Sequence, residues 1–240
     1  MYTMKRVAVC VSGHLRAPKL GYELLKRHVI DPNPGYQFDF FIDTWSTRDW
    51  RKNGDIDRTG ESLGHVISDV ISFYKPIVLN VQRDREWNTD AYIRHARAGD
   101  VKKKTNGEHI LGMYYKIMKC DEIRRNHENE LHFQYDLVFR HRTDVSFKND
   151  LVLSDTVIEQ AQATIFVAKN HSEQQVWCSD VSAFSSSKGM TFYSRLFKVL
   201  HTLVESHSVF RPEPLLYHHL MSSSEFKFDE FFPDWYVINE

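Results

Sequence analysis

Residues 5–11, KRVAVCV, decide the fold, and they run straight on into Ser12-Gly13-His14-Leu15-Arg16. After two basic residues the run is unbroken Val, Ala and Cys, with no polar alternation. A half-exposed strand alternates, so an unbroken apolar run rich in valine predicts a strand covered on both faces, as in a parallel sheet. The polar residues that follow then mark the carboxyl end of that strand. Residues 37–43, QFDFFID, repeat the pattern and run into Thr44-Trp45-Ser46. Residues 77–81, IVLNV, give a third strand after the helix-breaking Pro76.

Between these strands lie helical patterns. Residues 19–30 place Leu20, Leu24 and Leu25 on one side and end at Pro32 and Pro34; residues 63–74 give a second helix. Strand and helix alternate, so the expected fold class is α/β. The architecture is a three-layer, Rossmann-like sandwich around a mostly parallel sheet. Residues 46–62 and 83–107 are polar and weakly patterned; a loop of the second length is usually functional or mobile. Residues 108–130 carry Ile110, Tyr114, Ile117 and Met118 at helical spacing, which reads as core packing. Strands are expected at 135–140, 164–168 and 181–184. One helix is marked by Met190, Tyr193, Leu196, Phe197, Leu200 and Leu203, and a last one runs from Glu213 to Met221. No repeat or linker divides the 240 residues, so one domain, 1–240, is expected.

Composition excludes several classes. The formal net charge is −1 with 31 Lys and Arg against 32 Asp and Glu, so the basic footprint of a nucleic-acid binder is missing. Lys102-Lys103-Lys104 reads as a solvated loop. Cys10, Cys120 and Cys178 are widely spaced, which argues against a disulfide framework or a zinc site. No apolar stretch is long enough for a membrane span, and no signal-peptide pattern opens the sequence. A cytoplasmic, reducing setting is the expectation, which leaves the Asn170-His171-Ser172 sequon idle.

The candidate chemistry lies at strand ends. Residues 135–144, YDLVFRHRTD, drive a core strand into Arg140, His141, Arg142 and Asp144. In open α/β sheets ligands bind beyond the carboxyl ends of the strands. Guanidinium groups take phosphate oxygens in bidentate fashion, so Arg16, Arg140 and Arg142 point to a phosphate-bearing ligand. The helix N-terminus after SGHLR offers further N–H donors. An aspartate among arginines suits a bridging divalent cation, or hydroxyl groups. Each element also has a plain structural reading: Ser12-Gly13 as a tight turn, Asp43-Thr44 as a helix cap, Arg140 as a buried ion-pair partner. Of the adjacent His218 and His219, at most one can face a cleft.

Several blocks resemble a group of small glycosyltransferases found in bacteria and large DNA viruses. They are VSGHLR, FDFFIDTW, FYKPIVLNV, the long MYYKIMKCDEIRRNHENELHFQYDLVFRHRTDVSF, SDVSAFSSSKGM and PEPLLYHHL, in family order and spanning most of the chain. The resemblance implies a GT-A fold and transfer of a hexosyl or pentosyl group from a nucleotide-diphosphate sugar to a glycan hydroxyl. UDP and GDP are the expected nucleotides. It implies donor-site roles for Ser12, Gly13, His14, Arg16, Asp43, Thr44, Trp45, Arg140, Arg142 and Asp144. The segment 140–144 stands where such enzymes carry a D-x-D metal motif; only Asp144 remains of it, and with it an expected Mn²⁺ or Mg²⁺. Asp180, just before an apolar strand, is the candidate general base, and Glu213 a candidate acceptor or sugar contact. Two other classes stay open: a nucleotide- or glycan-binding module without turnover, and a nucleotidyltransferase, whose paired carboxylates and Gly-rich basic loop are not evident.

Overall fold

The computed structural model describes residues 4–46, 50–52, 55–57, 64–97, 100, 104–169, 177–231 and 234–238. Lys102, Lys103 and the sequon at 170–172 lie outside them.

The first strand, β1 (Lys5–Gly13), pairs in parallel on both sides. One neighbour is β2 (Tyr36–Trp45), which itself pairs with β5 (Val78–Gln82). The other is β6 (Leu137–His141). Beyond β6 come β9 (Ser182–Ser185), β8 (Thr164–Ala168) and β10 (Lys227–Phe231). The seven strands stand in the order β10-β8-β9-β6-β1-β2-β5, and only β9 runs against the rest. The fold is therefore α/β with a mostly parallel central sheet between helical layers, as the unbroken apolar run implied. Two small antiparallel pairs among the described residues lie outside it: β3 (Trp50–Lys52) with β4 (Asp55–Asp57), and β7 (Val145–Phe147) with β11 (Trp235–Val237).

Strand alternation sorts the core into two layers. Ala8, Cys10, Phe41, Val138 and Ala183 face α4 (Lys104–Glu130), α6 (Ser187–Ser194), α7 (Leu196–His207) and α8 (Pro212–Met221). Val7, Val9, Val11, Ile42, Leu137 and Phe139 face α1 (Pro18–Leu25), α2 (Gly64–Tyr74) and α5 (Asp155–Ala161). The helix expected over 19–30 is α to Leu25 and closes in a π-helical turn, Lys26–Ile30. The helix marked by Met190 to Leu203 is two helices, broken at Arg195, because the chain turns from the sheet to pack along α4 and α8. Among the described residues, the stretch expected as a loop at 83–107 forms a helical turn, α3 (Asp90–Ile93), and its last four residues already belong to α4.

One feature fixes the site end of the sheet and a second fixes the opposite end. Gly21 of α1 packs so closely on the β6–β7 turn that an added Cβ would lie 2.0 Å from the Thr143 carbonyl oxygen. Only glycine lets the helix sit there. On the opposite layer, the buried Arg124 guanidinium donates to Glu128 at 2.6 Å, Ser187 at 2.7 Å and Thr191 at 2.9 Å, and pairs with Asp121. Glu128 in turn accepts the Tyr135 N–H at 2.9 Å, so α4, α6 and the entry to β6 are held by one network.

Candidate functional site

The main-sheet order reverses between β1 and β6. From β1 the sequence proceeds outward through β2 and β5 on one side, then crosses to β6 on the other. That switch point leaves a crevice at the carboxyl ends of the strands. It holds a cavity of about 420 Å³, within the usual range for a small-molecule site.

The cavity floor comes from β1 and β6. Ser12, Gly13, His14 and Arg16 line it, with Arg140, Arg142 and Asp144 beside them. Gly13 has φ +98°, which a side chain tolerates poorly, and the space where its Cβ would stand is open. The Ser12 hydroxyl is buried with no hydrogen-bond partner among the described residues. Arg16 follows as the chain leaves the strand, its N–H donating to Thr143 Oγ1 at 3.1 Å.

Alternation explains the charged strand end. Arg140 points to the α4 side, 2 % exposed, and donates through Nη1 to the Asp180 carbonyl. Its Nε is buried without a partner among the described residues. His141 points to the other face, lies flat on Phe139 with ring centroids 5.4 Å apart, and meets Ser182 Oγ at 2.9 Å. Burial, and then the Arg140 charge, push its pKa down to about 3, so it is a neutral core histidine. Arg142 returns to the cavity and grips Asp144 with both ends of its fork, Nε to Oδ1 at 2.9 Å and Nη2 to Oδ2 at 2.7 Å. Arg16 Nη1 adds a third bond at 3.0 Å. Burial alone would raise the Asp144 pKa. The Arg142 and then the Arg16 guanidinium outweigh it and hold the carboxyl well below its ordinary range.

This geometry bears on the expected cation. Both Asp144 oxygens already accept guanidinium N–H groups, and two positive charges stand within 3.0 Å. A hydrated Mg²⁺ or Mn²⁺ needs several free oxygen ligands and would meet that repulsion. Asp144 does not fit the role of metal ligand; it is the counter-ion that fixes two arginines.

The far wall carries two further carboxylates. Asp180 enters just before β9 and Glu213 from the first turn of α8, and both line the cavity. Tyr114 of α4 donates to the Pro212 carbonyl at 2.7 Å, which seats that turn. Burial, then the Asp180 charge, raise the Glu213 pKa.

A third wall is aromatic. Trp45, 4 % exposed, lies parallel to Tyr115 at 6.1 Å, and Trp87 meets Tyr115 edge-on at 5.4 Å. The Arg85 guanidinium lies 3.7 Å over the Trp87 ring and 4.2 Å over Tyr115.

Of the residues singled out from sequence, Ser12, Gly13, His14, Arg16, Trp45, Arg140, Arg142, Asp144, Asp180 and Glu213 all line this one cavity. Asp43 and Thr44 do not. Both are fully buried beneath it, where Asp43 Oδ1 accepts Lys116 Nζ at 2.8 Å and Asn80 Nδ2 at 3.0 Å. They are neither donor contacts nor a helix cap, because alternation turns Asp43 into the layer under α4. The α1 N-terminus also stays out of the lining, with Ala17 and Pro18 at its start and no side-chain cap. His219 stacks on Phe192 at 4.4 Å and His218 on His207 at 3.7 Å; neither faces the cavity.

Sequence reasoning passed over Asp84, Arg85, Trp87, Asp100 and Arg211, which line the cavity from loops, and Glu108, His109 and Gly112 of α4. Arg85 and Trp87 stand in a loop without period, so no local signal placed them at the site. No protein-family model matches the chain, and no curated protein matches it either. Its chemistry is therefore argued from the site alone.

Proposed function

We propose that the protein is a glycosyltransferase that moves a sugar from a nucleotide-diphosphate sugar to a hydroxyl of a glycan acceptor. One observation carries the reading. A cavity at the switch point of a parallel sheet joins an arginine floor to an aromatic wall on one side and two carboxylates on the other.

The diphosphate, on this reading, lies over Arg16, Arg140 and Arg142, within reach of the Ser12 hydroxyl. These donors are fixed in advance by Asp144 and the Asp180 carbonyl, so they need no reorganisation as charge develops on the leaving oxygen. No step is assigned to a metal, since Asp144 is already committed to arginines. A planar base or the apolar face of a sugar suits the ring surfaces of Trp45 and Trp87.

In the transfer, the acceptor oxygen bonds to the anomeric carbon as the bond from that carbon to the diphosphate oxygen breaks. The nucleoside diphosphate leaves with the electron pair, and the acceptor proton passes to the Asp180 carboxylate. Glu213, whose carboxyl pKa burial and then the Asp180 charge push up, contacts a sugar or acceptor hydroxyl. Among the described residues no helix is long and apolar enough to cross a membrane. Cys10, Cys120 and Cys178 are buried free thiols, which agrees with a reducing compartment such as the cytoplasm.

The test is a panel of UDP-, GDP- and TDP-sugars, read as nucleotide release with and without glycan acceptors. One donor should be hydrolysed slowly and turned over faster with acceptor. Asp180→Asn should lower turnover by about 10²–10⁴-fold while donor binding changes little. Tight donor binding with no release from any sugar would instead establish a recognition module.

A further inference from the structure

A second cluster of chemistry lies away from the cavity lining. Three side chains from two elements converge on the outer face of α7. His201 and Glu205 sit four residues apart on that helix and so share a face. His95 reaches them from the turn after α3. One ligand atom from each lies within 4.8 Å of the others.

The spacing within the cluster is informative. His95 Nε2 stands 3.5 Å from Glu205 Oε1, and His201 Nδ1 stands 3.4 Å from Glu205 Oε2. Those separations are long for hydrogen bonds between imidazole and carboxylate, which close to about 2.7–3.0 Å. The two contacts reach different oxygens of Glu205, and each is close to the edge of a coordination tetrahedron, about 3.3–3.4 Å for bonds of about 2.0–2.1 Å. The side chains are 38 %, 47 % and 45 % exposed, so an ion can enter and a water can complete the shell.

The positions are held without a metal. Tyr92 meets His201 edge-on at 5.4 Å and stacks on Phe210 at 5.3 Å. The Arg97 N–H donates to the Ser208 carbonyl at 3.1 Å, tying the His95 turn to the end of α7. The ligands therefore need little ordering to close on an ion.

We propose that His95, His201 and Glu205 form a binding site for a divalent transition metal of the Zn²⁺ class. Two imidazoles and one carboxylate select such an ion over Mg²⁺ or Ca²⁺, which prefer all-oxygen shells. The bound ion pins the segment around His95 to α7. That segment lies between Trp87 and Asp100, two residues of the cavity wall, so metal loading stiffens that wall. The site stands independently of the sugar-transfer reading.

The experiment uses the full chain, stripped with chelator and titrated with ZnCl₂ by calorimetry, with Co²⁺ as a spectroscopic stand-in. The wild type should bind one Zn²⁺ per chain at this site, and its melting temperature should rise by about 5 °C at a hundredfold excess over Kd. Co²⁺ should give visible bands of a low-coordinate nitrogen and oxygen site. His95→Ala, His201→Ala and Glu205→Gln should each weaken Zn²⁺ binding by about tenfold or more and remove the Co²⁺ bands. His95→Ala is decisive, because it leaves the helical pair intact. Equal Zn²⁺ affinity in the wild type and His95→Ala overturns the site, as does the absence of binding at millimolar metal. Should His95→Ala fail to fold, the near-isosteric Glu205→Gln takes its place with the same two outcomes.

Discussion

Each of the two strands that flank β1 carries an aspartate paired with basic side chains at or just past its carboxyl end, and the two aspartates differ in almost everything else. Asp43 and its partner Lys116 are both 0 % exposed, beneath Trp45. Asp144 is 7 % exposed, but its partners Arg16 and Arg142 are 25 % and 19 % exposed and open onto the cavity. Burial pushes the Asp43 carboxyl up despite the Lys116 and Asn80 contacts, and it pushes Lys116 down. At Asp144 two guanidinium groups outweigh burial. A point charge sealed from water fixes structure; a guanidinium fork that opens onto a cavity can also hold a ligand. Similar charge pairs at neighbouring strand ends thus divide into a strut and a binding floor, and solvent access decides which is which.

The largest expected effect breaks the strut. Lys116→Met leaves Asp43 buried beside an apolar chain and removes the donors to the Thr44 carbonyl and Gln82. It should cost about 3–5 kcal/mol of stability, read as a lower denaturation midpoint. A loss below about 1 kcal/mol, the ordinary value for an exposed pair, would mean that the pair is not sealed.

Arg142→Ala comes next and sharpens the contrast. It removes charge-assisted bonds worth about 1–3 kcal/mol, so the fold should survive. Binding of a nucleoside diphosphate should nevertheless weaken by about tenfold or more, measured by calorimetry. Unchanged binding would strip the cavity floor of the role given to it.

The smallest effect is one of pH. The folded pKa of Asp144 lies below its unfolded value of about 3.9, so its stabilisation is present above that pH and is lost as the pH falls. Asp43 has the opposite sign: its folded pKa is raised, and its contribution is present below about pH 3.9 and lost as the pH rises through the folded value. Asp144→Asn should therefore flatten the acid limb of a stability–pH profile, and Asp43→Asn should not. Identical acid limbs in the two variants would erase the distinction.

Much of this was legible in the chain. The unbroken run Val7 to Val11 required cover on both faces, and that required helices on both sides of a parallel sheet. The polar residues after each strand then marked one end of the sheet as the candidate site. Asp43 shows where such reading stops. Its alternation placed it on a face, but the ammonium that claims it lies 73 residues away on α4. Lys116 stands beside the apolar stripe, and nothing local distinguishes it from a solvated lysine. Arg85 and Trp87 were hidden for a related reason: a loop without period carries no record of which wall it will cover.

The sequence by itself determined the layered α/β class and the end of the sheet where chemistry collects, because strand periodicity is a local property of the chain. Tertiary structure alone decided that Asp43 is a sealed strut and Asp144 the anchor of a cavity floor. It also decided that His95 meets His201 and Glu205. Burial and partnership depend on segments far apart in sequence, and those meet only when the helices pack on the sheet.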